Sequence, residues 1–133
     1  VPYSPAQMYH LVNDVAGYPA FLPWCASSSI LNQTPTTMTA QLTVAKGPLR
    51  HAFTTQNTLN ENKSIHMKLV KGPFQSLQGT WDFKETQHGT DIRFYLRFEF
   101  ASPLLALSFG PLFKHVTQTM MQSFIQRAKE IYG

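Results

Sequence analysis

The chain is 133 residues long, the size of one compact domain, so residues 1–133 read as a single unit with one core. Apolar residues make up 43% and charged residues only 14%, which excludes a disordered chain and predicts apolar surface inside a cavity or at an interface. The formal net charge is +4 with no run of like charges, so RNA or an anionic membrane surface is permitted as a partner but not required, and the single cysteine excludes an internal disulfide and a multi-cysteine metal site.

Ser4, Pro5 and Gln7 together read as a helix start: a cap, a first-turn proline and a capping box. Met8, Leu11, Val12 and Val15 follow at helical spacing, which predicts a helix over 4–15 with one buried face and a stop at Gly17. The next stretch, GYPAFLPWC (17–25), holds two prolines and four large apolar side chains. Pro19 and Pro23 allow at most a short helix around residues 20–22.

From Ser27 the period changes to two. SSSILNQ (27–33) is a short, weak strand, and TMTAQLTVAK (37–46) alternates Met38, Ala40, Leu42 and Val44 with Thr39, Gln41 and Thr43. Further strands are expected over 49–59, 64–70, 76–84 and 90–100. In the last, Ile92, Phe94, Leu96, Phe98 and Phe100 face in, while Arg93, Tyr95, Arg97 and Glu99 face out. NENK (60–63) is a turn, and KGPL (46–49) and KGPF (71–74) are turns or bulges of one chemistry. Such short connections predict an antiparallel meander. Ser102 caps and Pro103 opens a last helix that runs to residue 132. It should span roughly 45 Å and kink at Gly110-Pro111, with Phe109, Phe113, Val116, Met120, Phe124, Ala128 and Ile131 along one stripe. The fold expected is α+β: a bent antiparallel sheet whose apolar face is covered by the long C-terminal helix, with a cavity between them. No run reaches the length of a membrane-spanning helix, and the N-terminus has no signal-peptide pattern.

VPYSPAQMYHLVNDVAGYPAFLPWC, the GPF…L.G.W.F run over 72–83, FEF (98–100) and the closing FKHVTQTMMQSFIQRAKEIY resemble the coenzyme Q-binding / ribosome-association-toxin family. That family belongs to the START-like, helix-grip superfamily of lipid-binding domains. The resemblance covers essentially the whole chain, and its most specific part is YP.FLPWC with GPF at a matching distance. It implies a further strand ahead of Val1, followed by two short helices. It also implies one of two roles. The main expectation is non-covalent binding of ubiquinone or a similar isoprenoid lipid in support of respiration. The alternative is binding of the large ribosomal subunit, blocking subunit joining. The partners implied are a hydrophobic small molecule, with peripheral contact to the inner membrane, or the ribosome. The setting is the bacterial cytoplasm, or the mitochondrial matrix in a eukaryote. No cofactor or metal of the protein's own is implied.

The residues are weighed against both roles. Cys25 has no base in a motif pointing at it, and a small buried hydrophobe is its default reading. His10, His51, His66, His88 and His115 show no metal-ligand spacing. The strand phases turn Asp82, Asp91 and Glu99 outward, Glu61 and Glu85 fall at turns, and Asp14 ends a helix, so no acid–base pair faces the interior and an enzyme is not expected. The expected cavity lining is apolar: Phe21, Leu22 and Trp24 from the 17–25 stretch, Phe53, Met67, Leu69, Phe74, Trp81, Phe94 and Phe98 from strands, and Phe113, Val116, Met120 and Phe124 from the helix. Thr55 and Asn57 share the phase of Phe53 and should also point in. There they bond each other or water, or they donate to quinone carbonyls. Outside, Arg50, Lys68, Lys71, Arg93 and Arg97 form a basic exterior. It is either an ordinary solvated face or a phosphate-contacting one. The 17–25 stretch is expected to close one end of the cavity, with Tyr18 keeping its hydroxyl toward water.

Overall fold

A computed structural model describes all residues, Val1–Gly133. Helix α1 spans Pro5–Asn13, and the predicted capping box is present: the Gln7 amide donates to the Ser4 hydroxyl, and the Ser4 amide donates to the Gln7 side chain. The helix stops at Asp14 rather than at Gly17, and a 3₁₀ helix over Val15–Ala20 takes over. The short helix thus lies upstream of the predicted 20–22. Pro19 is tolerated because its fixed φ suits this geometry and so short a ladder loses only one donor.

Six strands follow: β1 Cys25–Gln33, β2 Thr37–Lys46, β3 Leu49–Asn60, β4 Ser64–Lys71, β5 Phe74–Thr86 and β6 Gly89–Phe100. They form one antiparallel sheet in chain order, the predicted meander. Gly47-Pro48 and Gly72-Pro73 make the two KGP turns. Gly47 takes φ +58°, a left-handed conformation that glycine adopts without a Cβ penalty. Register shifts in β1, at Thr54/Thr55 and at Phe74/Ser76 supply the local twist that bends the sheet. On the edge of β6 away from β5, the Val1 amino group donates to the Thr90 carbonyl and the Thr90 amide to the Val1 carbonyl, each at 3.0 Å.

Helix α2 runs unbroken from Pro103 to Tyr132, capped by Ser102, whose hydroxyl accepts from the Leu105 amide at 3.2 Å. Pro111 removes the donor for the Leu107 carbonyl without ending the helix. Phe109, Leu112, Phe113, Val116, Phe124 and Ala128 are buried against the sheet. The predicted stripe fails at its last member, since Ile131 is 50% exposed. The final turn instead makes its contact through Tyr132, whose hydroxyl donates to the Gln7 carbonyl at 3.1 Å and whose ring lies 5.8 Å from Tyr3. Aromatic rings fill the space between sheet and helix. Trp81 meets Phe94 at 4.4 Å and Phe124 at 5.4 Å, and Phe113 meets Phe74 and Phe98 at 4.8 Å each. Each buried ring of this kind contributes roughly 1.5–3 kcal/mol.

Candidate functional site

Between the sheet and α2 lies a cavity of about 60 Å³ lined by 16 residues, 14 of them hydrophobic. Trp24, Phe53, Thr55, Asn57, Met67, Trp81, Phe94, Phe113, Val116 and Met120 line it, as their phases predict. Val15, Tyr18, Ala40, Leu42, Leu77 and Leu96 line it too. Of these, Ala40, Leu42 and Leu96 carry the inward phase in the sequence and Val15 belongs to the face predicted to be buried, whereas Tyr18 arrives only because the 3₁₀ helix turns it inward.

Six predicted lining residues lie elsewhere. Phe74 and Phe98 are used up in the ring cluster around Phe113. Phe124 is packed among Tyr18, Phe21 and Trp81, and Leu22 is core. Phe21 lies on an outer groove, with the Arg127 guanidinium 5.1 Å above its ring. Leu69 is half-buried at the margin of the sheet. The cavity's size is the main departure. About 60 Å³ admits a few waters, whereas a small-molecule cleft is typically ~300–1,000 Å³. A substituted quinone ring does not fit unless α2 and the sheet part.

Thr55 and Asn57 are both buried on the cavity wall, and the Thr55 hydroxyl donates to Asn57 Oδ1 at 2.9 Å. That bond uses the Asn57 carbonyl, and the amide N–H groups remain as donors. Trp24 Nε1 is buried without any partner. The Thr55–Asn57 pair therefore stands as the polar feature of an otherwise apolar lining.

Cys25 opens β1 with its thiol donating to the Ser27 carbonyl at 3.4 Å. Burial pushes it up to about 11, so it is a thiol and not a thiolate near neutrality. Tyr18 departs from expectation: its hydroxyl is buried and donates to the Val12 carbonyl. The last carbonyls of α1 lack helical donors, and the 3₁₀ helix carries Tyr18 beneath one of them. Burial raises its phenol well above the ordinary value. No group of three or more His, Cys, Asp or Glu side chains is placed to hold a metal.

On the outer face of the sheet, strand register sets Gln56, Lys68, Gln78 and Arg97 side by side across β3 to β6. The next row is Thr58, His66, Thr80 and Tyr95, with His66 Nδ1 and Thr80 Oγ1 3.2 Å apart and Tyr95 60% exposed. Lys68 and Arg97 have no ion-pair partner, whereas Arg93 bonds Asp91 at 3.3 Å and stands opposite Asp82. Arg93 thus faces outward as its phase predicts, but shares its charge with two carboxylates on the same face. Arg50 and Lys71 are exposed where β3 begins and β4 ends.

Charge is also shared unevenly along the molecule. The Gly47-Pro48 turn, the Gly72-Pro73 turn and the start of α2 lie at one end, tied by the Ala101 amide donating to the Pro73 carbonyl at 3.0 Å. Lys46, Arg50, Lys71 and Lys114 surround that end, with Lys68 and Arg97 just behind, and Glu99 is its only carboxylate. At the opposite end Glu61, Asp82, Glu85, Asp91, Asp14 and Glu130 are nearly balanced by Lys63, Lys84, Arg93, Arg127 and Lys129.

Residues 1–125 match the polyketide cyclase / dehydrase and lipid transport family. The chain is 50% identical over 134 residues to the ribosome association toxin RatA of Escherichia coli strain K12, covering all of this chain and 85% of that protein. It is 31% identical over 136 residues to the mitochondrial coenzyme Q-binding protein COQ10 of Dictyostelium discoideum, covering 98% of this chain and 66% of that one. A START superfamily protein from Mycobacterium smegmatis has the same fold, with a TM-score of 0.80 at 19% identity over 98% of this chain and 93% of that one. With a six-stranded bent sheet gripping a long C-terminal helix, and with these relatives, the chain belongs to the START-like coenzyme Q-binding / ribosome-association-toxin group within the polyketide cyclase / dehydrase and lipid transport family.

Proposed function

We propose that the protein binds the ribosome, through its large subunit, and that the outer face of the sheet makes the contact. The observation carrying this is the 50% identity, across the whole chain, to a protein named for ribosome association. It reverses the order expected from the sequence. The coenzyme Q-binding relative is more distant, and the cavity is too small for a quinone ring as it stands. The row of Lys68 and Arg97 with Gln56 and Gln78 offers two cations outside any ion pair, with Glu99 in the same groove, and two amides to a phosphate backbone, and Tyr95 offers a ring face to an unstacked base. Binding rather than catalysis fits the interior, where Tyr18 and Cys25 are held protonated by burial and no carboxylate lines the cavity. The bacterial cytoplasm is the proposed setting. The test is co-sedimentation with separated ribosomal subunits at several salt concentrations. The wild type should pellet with the large subunit. Lys68→Glu with Arg97→Glu should weaken binding at least tenfold and flatten the log–log salt dependence by about 0.7–0.9 per lost contact. Undiminished binding by the double variant would sink the proposed face, and no binding by the wild type would sink the function.

A second reading rests on Thr55 and Asn57, polar groups held on the wall of an apolar cavity. They would donate to the carbonyls of an isoprenoid quinone admitted when α2 moves off the sheet. Thr55→Val with Asn57→Leu should then weaken quinone binding by roughly tenfold while the fold survives, since removing both partners of a buried bond is nearly neutral for stability. Equal affinity in calorimetric titration of the two proteins would remove this reading.

A further inference from the structure

We propose that the first three turns of α2 form a docking surface for an anionic lipid bilayer, separate from the ribosome-facing side of the sheet. The starting observation is apolar side chains left in water. Leu104 is 74% exposed and Leu107 78% exposed, more than any other large hydrophobic side chain of the protein. Three residues apart on one helix, they share a face, and exposed Pro111 continues it. No charged residue occurs from Ala101 to Phe113. The sheet does not need this face, because α2 packs through Phe109, Leu112, Phe113 and Val116 instead.

The surroundings of this stripe decide between occupants. Lys114 follows on the same helical face, and the turns beside the helix start carry Lys71, Arg50 and Lys46, with Glu99 the one carboxylate nearby. A nucleic acid would account for the cations but would leave both leucines in water. A second copy of this chain would account for the leucines, but it would set the same cations, Lys46, Arg50, Lys71 and Lys114, against each other around them, a like-charge contact that costs affinity. A bilayer of anionic lipid takes both: leucines at the boundary between headgroups and acyl chains, cations among the headgroups. Pro111 fixes the depth. The Leu107 carbonyl has no helical donor, and it would be costly in hydrocarbon, so the helix lies at the interface where water and headgroups still reach it.

The experiment is flotation of the full chain with vesicles of phosphatidylglycerol and phosphatidylcholine, against phosphatidylcholine alone. Wild type should float with the anionic vesicles and at least tenfold less with the neutral ones. Leu104→Glu with Leu107→Glu should abolish flotation, and Leu104→Ser with Leu107→Ser, which adds no charge, should float at least tenfold less than wild type while leaving ribosome co-sedimentation unchanged. Both side chains point into solvent, so the variants should melt with the wild type. A Leu104→Trp variant gives an independent readout, a blue shift of its fluorescence on adding anionic vesicles but not neutral ones. The proposal fails if wild type ignores anionic vesicles, if the glutamate or the serine variant floats as well as wild type, or if the tryptophan does not shift. It also fails if wild type sediments as a dimer that the glutamate variant splits, which would make the stripe a subunit interface.

Discussion

Tyr18 and Cys25 lie a few residues apart in the same proline-rich stretch, and the fold buries both in their protonated forms. Burial lifts the Cys25 thiol from 9.0 to about 11. In the unfolded chain the thiol ionises near its ordinary value, while the folded chain holds its proton until about 11. The resulting stability is complete below pH 9.0 and is lost as pH rises toward 11. Melting temperature should therefore decline across that window, and Cys25→Ser should flatten part of the decline while leaving ribosome binding intact. A dead but folded Cys25→Ser protein would restore a reactive role for the thiol. The burial of Cys25 was legible, because a lone cysteine with no base in its motif reads as a small buried hydrophobe. The Tyr18 bond was not legible. Its acceptor is a backbone carbonyl of Val12, which leaves no mark on side-chain pattern.

Among the elements, strands were the easiest to read, because one buried and one solvated face impose a strict alternation on β2, β4 and β6. The ends of α1 and of the short helix were not, since a 3₁₀ turn and an α turn differ by one hydrogen-bond step and share the same apolar spacing. The seam between Val1 and β6 was equally silent. It depends on Gly89, which holds φ +147° and where an added Cβ would stand 2.0 Å from the Val1 carbonyl oxygen. Gly89→Ala should push the first residues off the sheet edge and cost about 1–3 kcal/mol through backbone strain. Faster hydrogen exchange at the Thr90 amide, together with a lower melting temperature, would register it. An unchanged Thr90 amide would show that the seam does not need glycine.

At the scale of the molecule, the sequence placed the cavity correctly between sheet and helix but not its volume. Volume is set by how rings interdigitate. With Phe113 lying 4.8 Å from both Phe74 and Phe98, space that the phases alone leave open is occupied. The basic exterior was legible residue by residue, but its compensation was not. Arg93 and Asp91 are near neighbours in sequence, yet only strand register brings Asp82 opposite Arg93. The uneven sharing of charge between the two ends has a kinetic consequence. An excess of cations at the Gly-Pro turn end, against near balance at the other, gives the protein an uneven field along its sheet, so it turns before it touches: any polyanion meets the cationic end first. Its association rate with ribosomes should fall steeply with added salt while the dissociation rate changes far less, as rapid-mixing measurements would show. Exchanging Glu61 and Glu85 for glutamine removes two carboxylates that repel a polyanion and should quicken the arrival, whereas Lys46→Gln with Arg50→Gln, at the cationic end, should slow it.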